Sequence, residues 1–153
     1  MKIKMAVNTM FIEETFKKLE SYVPSMVRAT VKKSAMKTLR NAKKNCKTVD
    51  SGLLRASIAA AQYKDWLSAD VGTPVKYASY IEHGTGIYAV EGNGRQSPWS
   101  WYSASGKWKG WHTTRGMHPH PFLYPAWKTE EPEYKKDMER NLVEATKRST
   151  GGL

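Results

Sequence analysis

The sequence predicts an α+β fold in which a small antiparallel sheet packs against a long N-terminal helix and a C-terminal helix. Three observations carry this prediction: a long apolar stripe of helical spacing near the N-terminus, two short strand-like segments after it, and a second helical stripe near the C-terminus. The chain has 153 residues, enough for one core. We therefore expect residues 1–153 to form a single domain.

The first helix is predicted over residues 9–46. Apolar or small side chains recur there at gaps of three and four, which places them on one face: Phe16, Leu19, Val23, Val27, Val31, Ala35, Leu39, Ala42 and Cys46. Pro24 lies inside this pattern. Because proline removes a backbone donor and clashes with the preceding turn, we expect a kink or two helices there. Cys46 continues the stripe, so we assign it to the core and not to a reactive thiol.

Positive charge is concentrated in the first third of the chain. The net charge is +11, and residues 1–48 hold 12 Lys or Arg against 3 Asp or Glu. A candidate basic face lies mostly off the apolar stripe and consists of Lys32, Lys33, Lys37, Arg40, Lys43 and Lys44. Such a segment favours phosphates or an acidic partner. The alternative is a solvated helix face without a partner.

The segment after this helix predicts short elements. Residues 53–56 fit one helical turn that Ser51 would cap. Residues 57–63 and 67–73 fit two strands, joined by a turn at 64–66. Residues 77–83 fit a short helix that stops at Gly84.

Residues 84–120, which we call the arm, change the character of the sequence. The arm holds seven glycines and four of the six tryptophans, and it fits a hairpin of about 99–102 with 108–113. A flexible backbone with large aromatics is typical of a segment that becomes ordered at an interface. The alternative is a hairpin already packed on its own domain. The candidate partner-interface residues are Trp99, Trp101, Trp108, Trp111, Arg95 and Arg115.

The C-terminal helix is predicted over residues 132–148. Pro132 fits its first turn, where a missing donor costs nothing. One apolar stripe would comprise Tyr134, Met138, Leu142 and Ala145. Residues 149–153 would form a flexible tail. Neither a membrane span nor a signal peptide is expected.

The motifs of several enzyme classes are missing. The sequence has neither a GxxxxGK phosphate loop nor a GxSxG nucleophile elbow. Its best metal candidate is His118 with His120, and with His83 or His112 as a third ligand. Alternate histidines beside prolines point in different directions, and no acid lies near them. We therefore expect no metal, no cofactor and no catalytic site.

Three blocks in the middle and end of the chain resemble one family. Residues 49–58 read VDSGLLRASI and resemble its V-D-T-G-x-L-R-x-S-I signature, and a V-G-T follows at 71–73. Residues 77–86 read YASYIEHGTG and are similar to Y-A-x-Y-V-E-x-G-T-G. Residues 121–126 read PFLYPA, like its closing P-F-L-x-P-A. The family is the tailed-phage morphogenesis proteins called tail-completion, neck or head–tail joining proteins.

The blocks also predict how the fold is held. The scaffold residues are Asp50, Gly52, Arg55, Tyr77, Glu82, Gly84, Gly86, Pro121, Phe122 and Pro125. We expect the glycines to take positive φ at helix ends. Asp50 would cap a turn, and Arg55 would pair with Asp50 or Glu82. Tyr77, Tyr80 and Ile81 would form the buried side of the short helix. Ser51 and His83 depart from the usual motif residues without altering the expected fold.

The resemblance implies a structural protein of the virion neck or tail, assembled in the bacterial host cytoplasm. Its partners would be other neck, connector or tail-tube subunits, with a homo-oligomeric ring in the virion and a possible contact with channel DNA. Before it meets those neighbours, we expect a monomer or weak oligomer. Two alternatives stay open: a small basic nucleic-acid-binding protein, in which cations hold phosphates and tryptophans stack on bases, and a small metallohydrolase that uses the histidines.

Our first prediction is that the protein requires no metal, because His118 and His120 lack a third convergent ligand. Thermal unfolding curves with and without a strong chelator should coincide. A fall of several degrees in Tm, together with stoichiometric zinc by elemental analysis, would contradict this.

Overall fold

The computed structural model describes residues 9–47 and 52–151, with side chains from residue 13 onward. Its elements run in the order α1 Thr9–Asn45, α2 Leu53–Ser57, β1 Ala59–Tyr63, β2 Ser68–Gly72, α3 Ala78–His83, β3 Trp99–Ser103, β4 Gly110–Thr114 and α4 Leu123–Ser149. The predicted α+β class is confirmed. The strands form two separate antiparallel pairs, β1 with β2 and β3 with β4.

The described chain divides into two compact units. The first comprises residues 9–36, 61–70 and 130–151, and the second comprises 37–47, 52–60 and 71–129. Helix α1 runs unbroken through Pro24, so the alternative of two helices is wrong. The single domain stays a prediction.

The first unit joins the early part of α1 to α4 through both polar and apolar side chains. Lys33 Nζ forms ion pairs with Asp137 and, at 3.2 Å, with Glu133, and these hydrogen bonds raise the pKa of Lys33. Asn141 Nδ2 donates to Thr30 Oγ1 at 2.6 Å. Apolar side chains of both helices, including Val23, Val27, Met138 and Ala145, line a small gap. Phe16 is 62% exposed, so its assignment to the buried stripe is wrong.

The turn between β1 and β2 lies at the predicted residues. Lys64, Asp65 and Trp66 all have positive φ, between 47° and 67°, which is uncommon for residues other than glycine. Two contacts with α1 hold this turn in the first unit. Arg28 Nε lies 3.2 Å from Asp65 Oδ2, and Lys32 Nζ lies 5.7 Å from the Trp66 ring centroid.

The second unit has an apolar core drawn from its helices and from residues next to their ends. Its buried members are Ala42, Cys46, Leu54, Ile58, Ala78, Phe122 and Ala126. The core position predicted for Cys46 is confirmed, and burial raises the pKa of its thiol. Phe122 is fully buried and Leu123 packs against the same core.

The buried side of α3 differs from the prediction. Ala78 and Glu82 are buried and Ile81 packs on the core, whereas Tyr77 and Tyr80 are 42% and 60% exposed. Positions four apart lie on one helix face, so burying Ala78 and Glu82 turns Tyr80 outward. A buried glutamate needs hydrogen-bond partners, and α4 supplies them.

Glu82 fixes the start of α4. Its Oε2 accepts the amide hydrogens of Phe122 at 2.7 Å and Leu123 at 3.0 Å, and its Oε1 accepts that of Tyr124 at 2.8 Å. The first amides of a helix have no partner within the helix, and a negative charge there is favourable. The helix therefore begins at Leu123. Our placement of Pro132 in the first turn is wrong, because Pro132 lies inside α4.

The remaining scaffold expectations have mixed outcomes. Gly52, Gly84 and Gly86 all have positive φ, as predicted. Asp50 and Ser51 lie outside the described residues, so the caps predicted for them are untested. No ion pair joins the described residues Arg55 and Glu82, because Arg55 is exposed and the Glu82 oxygens accept backbone amides.

Removing the Glu82 carboxylate should destabilise the fold. Glu82→Ala leaves three amides near the core without their acceptor, and each buried unpaired amide costs about 1–3 kcal/mol. We expect the free energy of unfolding to fall by roughly 3 kcal/mol or more for Glu82→Ala and by about 2 kcal/mol for Glu82→Gln. Urea unfolding measures both.

The matched control is Glu20→Gln, because Glu20 is exposed on α1. It should change the free energy of unfolding by less than about 0.5 kcal/mol. Equal effects of Glu82→Gln and Glu20→Gln would show that the Glu82 charge does not hold the start of α4.

Candidate interaction site

The arm is fastened at its base by paired backbone segments. Thr85 N donates to Met117 O at 2.9 Å, and Met117 N donates to Thr85 Oγ1 at 2.9 Å. Ile87 N donates to Arg115 O at 3.1 Å. These bonds join the start of the arm to its end, close to the α3 residues that pack on the core.

Two glycines make this close approach possible. Gly86 has φ +61°, and a Cβ there would lie 1.9 Å from Arg115 O. Gly116 has φ +131°, and a Cβ there would lie 2.0 Å from Thr85 O. Any side chain at either position would separate the two segments. The base of the arm is thus built around Gly86 and Gly116, whereas the predicted ordering of the arm at an interface stays a prediction.

Strands β3 and β4 form a hairpin with a defined register. Trp99 is opposite Thr114, Trp101 is opposite His112, and Tyr102 is opposite Trp111. Successive side chains of a strand point to opposite faces of its sheet. One face therefore carries Trp99, Trp101, Ser103, Gly110, His112 and Thr114. The other, which we call the Trp111 face, carries Ser100, Tyr102, Trp111 and Thr113.

The first face has aromatic contacts of its own, and its Trp101 is 41% exposed, less than the aromatic side chains of the other face. The rings of Trp101 and His112 stack at 4.6 Å between centroids, and Trp108 meets the His112 ring edge-on at 5.8 Å. His112 Nε2 also lies 2.7 Å from Trp108 O. These contacts fix the tip of the hairpin over one side of the sheet.

The Trp111 face has two large aromatic side chains open to water. The rings of Tyr102 and Trp111 lie 5.4 Å apart, and their side chains are 55% and 74% exposed. Beside them, the hydroxyls of Ser100 and Thr113 share a hydrogen bond at 2.8 Å. Paired aromatics left in water on a held backbone are typical of an interface core.

A pocket lies between α3 and the first part of the arm. Its volume is about 460 Å³, within the range of roughly 300–1,000 Å³ typical of ligand pockets. Tyr80, Val90 and Trp99 give it apolar walls, and Glu91 and Arg95 give it charge. The Arg95 guanidinium lies 5.6 Å from the Trp99 ring centroid, a cation–π distance.

The predicted partner-interface residues thus divide into three places. Trp99 and Arg95 line the pocket, Trp101, Trp108 and Trp111 belong to the hairpin, and the Arg115 carbonyl belongs to the base of the arm. Sequence reasoning missed Tyr102 and Tyr80. The alternation in residues 99–103, which read WSWYS, was a signal for Tyr102, because a strand places it on the face opposite Trp101.

The candidate basic face lies along α1, and two of its members are already engaged. Lys33 pairs with acids of α4, and Lys32 lies over Trp66. Of the remainder, Arg40 and Lys44 are exposed, whereas Lys37 and Lys43 are half-buried. The cationic surface open to a partner is therefore smaller than the sequence predicts.

The four histidines lie in separate settings. The His118 and Tyr88 rings lie tilted to each other with 3.7 Å between centroids, His83 Nδ1 lies 3.1 Å from Ser79 O, and the His120 amide donates to Ile81 O at 2.7 Å. Within the described residues, no three His, Cys, Asp or Glu side chains are grouped as metal ligands would be. None of the described helices combines the length and apolar character needed to cross a bilayer.

One comparison with known proteins gives a match. Residues 12–84, 73 of the 153, match the family model described as "Bacteriophage HK97-gp10, putative tail-component". No curated protein and no solved structure matches the chain. The matched segment contains the first motif block and residues 77–84 of the second, and it ends where the arm begins. This match confirms the resemblance drawn from the motifs: residues 12–84 are similar to a tailed-phage tail-component family.

Proposed function

We propose that this chain is a structural virion protein of a tailed bacteriophage or prophage that joins or completes the interface between head and tail. The observation that carries the proposal is the exposed Trp111 face on a fastened arm. A joint subunit works by presenting shape and apolar surface to its neighbours, and the aromatic pair supplies both. The partners would be neck, connector or tail-tube subunits.

The chemistry of the site supports a binding role over a catalytic one. The His112 ring stacks on Trp101, the His118 ring lies tilted against Tyr88, and the Glu82 carboxylate accepts hydrogen bonds from three backbone amides. Cys46 is buried with a raised thiol pKa, which opposes nucleophilic attack at neutral pH. These side chains have structural roles, which supports a structural protein like the members of the tail-component family.

In the virion we propose a homo-oligomeric ring, assembled in the bacterial host cytoplasm. The remaining exposed cations of α1 would face DNA in the channel of that ring. The rival function is a small basic nucleic-acid-binding protein, and its support is the same helix. An affinity for DNA that falls steeply with salt, and that Arg40→Gln together with Lys44→Gln removes, would favour the rival.

The arm offers a direct test of the proposed role. Trp99 and Thr114 are paired across the hairpin, so an Asn-Gly turn in place of residues 100–113 would close the chain over a preserved base. The variant should fold, because the core residues of the second unit lie outside the replaced segment. Circular dichroism and urea unfolding would check this.

The variant is then supplied in place of the wild-type protein during phage growth. We expect separate heads and tails in electron micrographs, and a fall in infectious titre of at least tenfold, since loss of a hot-spot cluster weakens an interface by about that factor or more. Glu20→Gln, a change at an exposed position of α1, is the control and should leave joined particles. Joined, infectious particles from the arm variant would overturn the proposal.

A further inference from the structure

We infer that the Trp111 face of one copy of this chain inserts into the pocket of the next copy. Tyr102 and Trp111 are the inserted side chains, and the pocket between α3 and the first part of the arm receives them. The inference rests on the proposed function, because it supplies the contact between subunits of the ring.

The two surfaces point in opposite directions from a single hairpin. Trp99 lines the pocket and lies on the face of the β3–β4 sheet opposite Tyr102 and Trp111. A chain therefore cannot fill its own pocket with its own aromatic pair. Different surfaces on opposite sides are what a head-to-tail contact between identical subunits requires, and such contacts close into rings when the rotation permits.

The pocket and the aromatic pair match in size and polarity. A volume of about 460 Å³ is in the range that takes a ring-sized ligand, and its apolar walls include Tyr80, Val90 and Trp99. The inserted indole N–H is a donor that needs an acceptor once it is buried. The Glu91 carboxylate, which already accepts from Asn93 at 3.1 Å, lines the same pocket.

Charge supports the same arrangement. The hairpin tip beside the aromatic pair carries Lys107 and Lys109, whereas the pocket contributes the carboxylate of Glu91. The cation of the pocket, Arg95, is held over Trp99 and presents a flat surface on which an inserted ring can stack. A cationic tip therefore meets an acid at the neighbouring subunit.

The area of the contact explains why the ring forms on a template. Two aromatic side chains bury about 150–250 Å² each, so the pair contributes roughly 300–500 Å² per subunit. A stable interface needs about 800 Å² per partner. The contact alone is too small to hold free subunits together, and it becomes effective where neighbouring virion proteins already place the subunits side by side.

Cross-linking in assembled particles tests the inference. Val90 lines the pocket and is 67% exposed, and Thr113 is exposed on the Trp111 face. Phage would carry Val90→Cys and Thr113→Cys in one chain and be treated with a short bismaleimide. Head-to-tail insertion should give a ladder of covalent multimers on a denaturing gel, whereas each single substitution should give no ladder. Native Cys46 is only 4% exposed and should not react with the bismaleimide.

Two further variants separate insertion from mere proximity. Adding Trp111→Ala to the double variant should weaken the ladder about tenfold or more, the factor expected for an interface anchor. Trp111 is 74% exposed, so its replacement leaves the core intact. The second variant carries Glu20→Cys and Thr113→Cys, with Val90 left unchanged. Glu20 is exposed on α1, far from the pocket in sequence, so this variant should give no ladder.

Each outcome decides the inference. Products that stop at dimers through Thr113→Cys alone would show symmetric face-to-face pairing and overturn it. Joined particles with no ladder would overturn it while leaving the proposed function standing. If the protein is not part of the particle, the proposed function fails. The insertion is then tested on a concentrated mixture of the two purified single-substitution proteins. Cross-links between the Val90→Cys and Thr113→Cys proteins support insertion, and their absence overturns it.

Discussion

The buried carboxylate of Glu82 is the interaction on which the second unit depends. It takes up three amides at the start of α4, and in doing so it ties the short helix α3 to the segment that carries Phe122 into the core. An apolar residue at position 82 would leave those amides unpaired, and an exposed glutamate would leave α4 free to start elsewhere. The second sequence block, residues 77–86, is thus hydrogen-bonded to the third, residues 121–126.

These hydrogen bonds also determine what the arm can do. The arm leaves the fold directly after α3 and returns directly before α4, so both of its ends are anchored at the Glu82 carboxylate. Backbone bonds between Thr85 and Met117 extend this anchoring to the base. An aromatic pair on such a base loses less conformational freedom on binding than one on a free loop. The second unit therefore combines a hydrogen-bonded base of the arm with an exposed apolar surface.

The parts of this structure that sequence reasoning could predict are those specified by neighbouring residues. The stripe of α1, the turn at Lys64–Trp66 and the presence of the arm hairpin depend on local spacing and on local backbone preference. The start of α4 depends on a carboxylate some forty positions earlier, which no local pattern reveals. The outward turn of Tyr80 follows from the same distant bond. No local pattern predicts the pocket either, because its walls come from α3 and from residues spread along the 86–99 segment.

The glycine pair at the base of the arm has a consequence for variation of the arm. Gly86 and Gly116 let two backbones touch, and none of the core residues that the structure describes lies between them. The residues between the two glycines can therefore be replaced while the hydrogen bonds between Glu82 and the start of α4 are kept. The matched family segment ends at residue 84, just before this crossing. A chain that kept this scaffold and carried a different insert would therefore keep its fold and change its contact surface, through a stretch of about thirty residues.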